Sequence, residues 1–343
     1  MGTRGVRVSV KSGRSKLVKW DDLRMQIISN PTHDEIKKAA KALKDGHLVA
    51  FPTETVYGLG ADANNEKAVS RIYSVKGRPI DHPLIVHISS TNQLDKWAIN
   101  IPDYALKLAK KFWPGPMTLI LKRSDLAKDY ITGGQDSVGL RVPNQSGALA
   151  LLAEFESLGG MGVAAPSANK FMALSPTNAQ AVQEEISEYL EVKDLILDGG
   201  QCSIGIESTI IDCTGASPSI LRAGYITFSD LNTTFKLSSF QSQSHVIRFS
   251  GNFKKHYSPK AKVLLDKVPV EGQGFIALSK FATPEGVIRI SSPTNELEFA
   301  YLLYESLIFA DKNKILEVVV KTPSGNGLAE AIRDRLNKAQ YVD

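Results

Sequence analysis

Four short segments of this chain carry residue types and spacings that could do chemistry. The run Lys76-Gly77-Arg78-Pro79 sits at the end of a helical pattern. Gly77 breaks the helix and Pro79 stiffens the chain, so an ammonium and a guanidinium share one bend. A point charge and a planar fork side by side suit the oxygens of a triphosphate. A basic helix end meeting its own dipole would explain the pair as well. Residues 51–60 (FPTETVYGLG) run from an apolar stretch into a polar turn of Thr53, Glu54 and Thr55, followed by two glycines. Strand ends of this kind bind ligands in α/β sheets, and they also occur as plain turns. Ala164-Ala165-Pro166-Ser167-Ala168-Asn169 follows Gly159, Gly160 and Gly162. Small residues let a ligand approach the backbone, and Ser167 and Asn169 offer a short hydroxyl and an amide. Gly205-Ile206-Glu207-Ser208-Thr209 leads into a strand, and Leu221-Arg222-Ala223-Gly224 closes another. A surface ion pair would account for Arg222 equally. His87 shares its strand face with Ile85 and Ser89, where a histidine is commonly a satisfied core group. No HExxH, Walker or G-x-S-x-G motif is present, so a nucleotide site here is not of the P-loop kind.

The elements that must hold these segments are legible in outline. Thr32 and Glu35 form a capping box ahead of Ile36, Ala39, Ala40 and Leu43, and Gly46 stops that helix. Further helices are predicted over 66–76, 103–112, 146–157 and 178–190, the last capped by Thr177 with Gln180. Strands are predicted over 48–51, 83–89, 117–122, 137–142, 194–198, 207–212 and 219–222. Interleaved helices and strands make this an α/β fold with a mixed sheet. The stretch 237–245 (LSSFQSQSH) reads as linker. Beyond it, strands at 261–266, 274–278, 286–290 and 315–321 and helices at 296–309 and 327–340 describe a second, smaller α/β unit. The domains are therefore 25–228, a linker at 229–259, and 260–343. Residues 1–24 hold Arg4, Arg7, Lys11, Arg14, Lys16, Lys19 and Arg24 with no acid before Asp21. They read as a solvated tail, an edge hairpin with Val6, Val8 and Val10 alternating, or an address peptide.

At 343 residues, 43% hydrophobic and 22% charged, the chain has globular composition and room for about two domains. No apolar run reaches the length of a membrane span. Cys202 and Cys213 are too few for a disulfide framework and lack metal-ligand spacing, which points to packing roles in a reducing cytoplasm. The net charge of +5 suits a phosphate-rich ligand or weak attraction to RNA.

Taken in order, FPTETVYGLG, the Lys-x-Arg-Pro bend, Trp113-Pro114-Gly115-Pro116-Met117-Thr118, Leu140-Arg141-Val142-Pro143, Ala165-Pro166-Ser167-Ala168-Asn169, Glu207-Ser208-Thr209 and Leu221-Arg222-x-Gly224 closely resemble the threonylcarbamoyl-adenylate synthase (YrdC-like) family over residues 32–228. The second unit, with Gly251 through His256-Tyr257-Ser258-Pro259 before it and the closing helix from Gly327 to Arg335, is similar to the long form of that family. The sequence departs from the family at His82, where an Asn is usual, and at Ser250-Gly251-Asn252, where Pro-Gly-Met is usual. The resemblance implies a YrdC-like mixed twisted sheet with helices, joined by a linker to a smaller Rossmann-like α/β domain. It implies conversion of L-threonine, bicarbonate and Mg²⁺-bound ATP to threonylcarbamoyl-adenylate and pyrophosphate, for a transferase partner that modifies tRNA, with weak or no direct tRNA binding and no membrane. By position it implies Lys76 and Arg78 as the catalytic cations. Ser137, Ser167, Asn169, Ser175, Arg222 and the linker Tyr257 would join them around ATP, with His256 beside Tyr257. Thr53, His87, Arg141, Ala165 and Ser208 would form the threonine site. It implies no resident metal. A non-enzymatic RNA-binding module using a basic cleft is the alternative, against which stands the lack of interleaved aromatic and basic residues.

Overall fold

The structure, a computed structural model, describes residues 5–8, 16–19, 26–235, 247–249, 251, 253 and 256–340. The linker stretch read at 237–245 and the third alternating valine, Val10, lie outside the described residues. In chain order the first part contains β1 (Gly5–Val8), β2 (Lys16–Lys19), β3 (Gln26–Ser29), α1 (His33–Lys44), β4 (Val49–Phe51), β5 (Gly58–Asp62), α2 (Glu66–Lys76), β6 (Ile85–His87), α3 (Leu94–Trp97) and α4 (Asp103–Phe112). It continues with β7 (Met117–Lys122), α5 (Asp129–Thr132), β8 (Ser137–Arg141), α6 (Ser146–Ser157), β9 (Val163–Ala164), α7 (Ala179–Ile186), β10 (Leu195–Asp198), β11 (Thr209–Asp212), β12 (Ser219–Arg222) and α8 (Phe228–Phe235). The last part holds β13 (Lys262–Leu265), β14 (Gly274–Ile276), β15 (Ile288–Ser291), α9 (Glu296–Lys312), β16 (Glu317–Val320) and α10 (Leu328–Gln340).

The local signals explain most of these boundaries. Thr32 and Glu35 cap α1 reciprocally, and Asn65 caps α2, which ends on Gly77 in the left-handed region at φ 64°. One cap differs from the sequence reading. Asn178, not Thr177, accepts the backbone N–H that starts α7, from Ala181. Thr177 is buried and its hydroxyl accepts from Gln201 instead, while Gln180 donates to Glu184. The helix also ends at Ile186, with a short 3-10 turn after it. The amino-terminal hairpin reading agrees with antiparallel pairing of β1 and β2.

Ten strands form one mixed sheet in the order β12-β11-β7-β8-β6-β9-β5-β4-β10-β3. Its alternation buries both faces. Val49 and Phe51 of β4 and Leu195 and Leu197 of β10 pack with α1 and α6, while Ala50 and Ile196 face the core under α2 and α7. Trp97 is fully buried in that second core and donates from its indole to the Met161 carbonyl at 3.0 Å. The four strands β13-β16-β14-β15 form an all-parallel sheet with α9 and α10. Its apolar core does not stop at its own residues. Ile276, Phe299, Leu303, Tyr304, Val318 and Leu336 share one cluster with Val56, Leu174, Ile206 and Tyr257 from the first part and the linker. The approach is close enough to require a residue without a side chain. Gly205 has φ 86°, and a Cβ there would sit 2.5 Å from the Ala300 carbonyl oxygen in α9. No helix among the described residues is long and apolar enough to cross a membrane.

Candidate active site

The segments singled out above converge on one cavity. The turn after β4 brings Thr53, Thr55 and Val56; the end of α2 brings Lys76 and Arg78; β6 and β8 bring His87 and Arg141. The loop after β9 brings Ala165 through Asn169, the approach to β11 brings Glu207 and Ser208, and β12 brings Arg222. Gly251, His256 and Tyr257 of the linker close it. The walls leave about 50 Å³ of free space.

The cations are buried. Lys76 is 3% exposed, and its Nζ donates to the carbonyls of Ser167 at 2.6 Å and Asn169 at 2.5 Å. Burial, then the neighbouring Arg78, holds the Lys76 ammonium well below the usual lysine range. Arg78 donates to the Pro83 carbonyl at 2.9 Å and lies 5.9 Å from the Phe171 ring; burial brings it down to about 10. Arg222 does not make a surface pair. It is buried and donates to the Ser208 carbonyl at 2.9 Å and to the Ser208 hydroxyl at 3.2 Å. That hydroxyl also bonds Thr118 at 2.8 Å.

Arg141 meets a partner that the sequence reading did not give it. Its Nη2 lies 2.8 Å from Glu54 Oε1 and donates to the Thr55 hydroxyl at 2.9 Å. Thr53 spends its hydroxyl on the turn, donating to the Val56 carbonyl at 2.6 Å and accepting from the Val56 amide. Ser175 does not reach the cavity. Its hydroxyl donates to Glu207 at 2.7 Å. Ser137 lies in an adjoining slot lined by Leu84, Ile85, Ile120, Gly139, Ile210, Arg248 and Phe249, and Ile85 belongs to both spaces.

Buried polar atoms without a protein partner concentrate here. His87 Nδ1, Arg141 Nε, Asn169 Oδ1, His256 Nδ1 and the Tyr257 hydroxyl are all enclosed, all unsatisfied, and all belong to residues lining this cavity. Native proteins leave few such groups unpaired, and a cluster of them marks a place where a ligand completes the bonding. Burial, reinforced by Arg141, holds the His87 imidazole down near 3, and burial does the same for His256, so both rings are neutral donors or acceptors at ordinary pH.

Sequence reasoning missed the carboxylate at the edge of the cavity. Burial pushes Glu207 up, but Arg335 and Arg222 outweigh it and hold the carboxyl down at about 2. Arg335 lies in α10, in the second unit, and nothing local to residue 207 signals it. The acidic residue in Glu207-Ser208-Thr209 was the available hint: a buried carboxylate needs a cation somewhere.

Fold and cavity together define a Sua5/YrdC-type α/β protein. The Sua5/YciO/YrdC family model, whose description is telomere recombination, matches residues 41–224, and the model for the threonylcarbamoyl-AMP synthase C-terminal domain matches residues 226–340. A threonylcarbamoyl-AMP synthase of Pyrococcus abyssi is 38% identical over 325 residues, covering 89% of this chain and 94% of its own. One of Bacillus subtilis is 36% identical over 329 residues, covering 89% and 92%. The crystal structure of P. abyssi Sua5 complexed with L-threonine superposes with a TM-score of 0.81 at 35% identity, covering 92% of this chain and 97% of that one. The chain belongs to the threonylcarbamoyl-AMP synthase family.

Proposed function

We propose that this chain makes L-threonylcarbamoyl-adenylate from L-threonine, bicarbonate and ATP, releasing pyrophosphate, and that the product feeds N6-threonylcarbamoyladenosine formation in tRNA. The cluster of unsatisfied polar atoms around a cation-lined cavity is the observation that supports it most directly. The threonine amine joins bicarbonate to give a carbamate and water. A carbamate oxygen then attacks the α-phosphorus, and the bond to pyrophosphate breaks. That step gathers negative charge on phosphate oxygens, which Lys76 and Arg78 are placed to spread. Lys76 would exchange carbonyl partners for phosphate oxygens, a gain for a buried ammonium.

The nucleobase is assigned to the slot beside the cavity. Ile85, Ile120 and Ile210 offer apolar walls and Ser137 a polar edge, and the slot, with about 10 Å³ of free space, would have to widen to take the ring. Ser167, Asn169 and Arg222 would line the phosphate path, with Ser175 acting at one remove through Glu207. The threonine pocket is assigned to Thr53, His87, Arg141, Ala165 and Ser208. Its carboxylate would take the unsatisfied Nε edge of Arg141, which Glu54 and Thr55 already hold in orientation. Neither nearby acid is placed to bind a resident cation, because Glu54 faces Arg141 and Glu207 faces Arg335. Mg²⁺ would arrive on the phosphates of ATP, as part of the substrate. About 50 Å³ of free space is less than ATP and threonine need, and movement of Tyr257 and its neighbours Gly251 and His256 would admit them. Gly251, His256 and Tyr257, from between the divisions at 229 and 260, would form the lid. The buried, free Cys202 and Cys213 accord with a cytoplasmic setting, beside a tRNA-modifying transferase partner.

The test is pyrophosphate release by the full chain with ATP and Mg²⁺, leaving out threonine and bicarbonate in turn. Release that needs both supports the reading. ATP left intact under every condition overturns it and makes salt-dependent RNA binding the next measurement.

A further inference from the structure

Glu207 poses a problem for a site that takes a polyanion. Its carboxylate sits in the cavity edge next to Ser208 and Arg222, where an uncompensated negative charge would repel phosphate. Three groups occupy its oxygens. Ser175 donates to Oε1 at 2.7 Å, Tyr304 donates to Oε2 at 3.0 Å, and Arg335 Nε donates to Oε2 at 2.9 Å. Two of these donors, Tyr304 from α9 and Arg335 from α10, belong to the second unit. Arg335 is 1% exposed, and its Nη1 meets Asp334 at 2.7 Å.

The same two side chains grip the lid. The Tyr304 ring stacks on Tyr257, with centroids 5.7 Å apart and planes at 29°. The Arg335 guanidinium carbon lies 5.3 Å from the centre of the Tyr257 ring. One buried arginine therefore touches both the acid at the cavity edge and the aromatic ring that closes the cavity.

We propose that Arg335 is a positioning residue for the adenylate-forming reaction: it neutralises Glu207 and seats Tyr257 together, so that the cavity becomes fit for ATP only when the second unit is docked. This deepens the synthase reading and rests on it. It gives the second unit a chemical task beyond anchoring a linker. Lysine would be a poor replacement, because an ammonium lacks the plane that lies against Tyr257 and the directed Nε–H that meets Glu207.

The experiment is steady-state pyrophosphate release on full-length wild type, R335Q, R335K and the double variant E207Q/R335Q, with thermal melts of each. Removing a charged hydrogen-bond partner predicts a rise in KM for ATP of roughly tenfold to a hundredfold in R335Q, and a smaller rise in R335K. Removing the stranded acid as well, in E207Q/R335Q, should return the KM for ATP toward wild type even if the protein melts lower. A purely structural arginine would lower the melting temperature and the active fraction without moving KM. If R335Q does not fold, R335K decides the matter. Wild-type KM for ATP in the folded single variants, or no recovery in the double variant, overturns the proposal and leaves the synthase reading standing. A wild-type chain with no threonine-dependent release overturns both.

Discussion

The lid has a steric test at Gly251. This residue has φ 89°, and a Cβ placed on it would lie 2.5 Å from the Tyr257 hydroxyl but 3.5 Å from the ring carbon that carries it. Gly251→Ala therefore does two separable things. Alanine in the left-handed region costs about 1–2 kcal/mol relative to a relaxed backbone. The hydroxyl must also move by about 1 Å to reach ordinary contact, a displacement that in a reacting site can cost on the order of a hundredfold. Both penalties fall on the arrangement in which Gly251 packs against Tyr257. The expected outcome is a fall in kcat/KM for ATP of roughly tenfold to a hundredfold, about 1.4–2.8 kcal/mol, with little change in the melting of the first domain. Tyr257→Phe removes the clashing atom and leaves ordinary contact. The double variant G251A/Y257F should then be impaired by less than the two single losses combined, retaining the backbone strain and not the overlap. Pyrophosphate release across the four proteins measures this cycle. A Gly251→Ala enzyme equal to wild type, or losses that simply add, would refute the closed geometry as the reactive one.

Other consequences are open to direct measurement. Lys76→Ala should lower kcat by about a hundredfold to a thousandfold, the usual loss when one charge-stabilising group is removed, and a kcat within threefold of wild type would remove Lys76 from the mechanism. His87 and His256 are neutral in the native fold down to about pH 3 but titrate at 6.5 when unfolded. The unfolded chain thus binds more protons between those values, and stability should fall as pH drops below about 6.5. Glu207 adds to the loss between about pH 4.5 and 2, because its stabilising charge disappears there. Urea midpoints at pH 7.5 and 5 check the histidine part, and equal midpoints would contradict it. Trp97→Ala should destabilise the first domain by about 3–5 kcal/mol through the cavity it leaves, read as a lower urea midpoint; a midpoint within error of wild type would mean the site collapses without cost.

Local information accounts for what could be read from the chain itself. The capping box of α1, the Gly77 stop of α2 and the apolar strand at β4 depend on residues within a few positions of one another, so their neighbours in sequence are their partners in space. The same holds for the chemistry. Thr53, Lys76, Arg78, His87, Arg141, Ala165, Ser167, Asn169, Ser208, Arg222 and Tyr257 line one cavity; eight of them lay in segments whose residue types suited a ligand, while His87, Arg141 and Tyr257 were named only by the family resemblance. The α7 cap shows the limit even at short range. Thr177 and Asn178 both carry capping side chains, and only the burial of Thr177 against Gln201 decides between them.

Tertiary structure alone decided the rest. Glu54 takes up Arg141 across 87 residues and Arg335 takes up Glu207 across 128, and no spacing rule connects residues so far apart in the chain. Ser137 and Ser175 have the right chemistry, yet Ser137 lies in a side slot at the far end of β8 from Arg141 and Ser175 donates to Glu207. Residue types thus pointed to a phosphate-rich ligand in advance, and the family resemblance added the amino acid. Which charges are spent on the protein and which remain for a ligand depended on packing, since a buried charge must find its counter-charge wherever the fold places it.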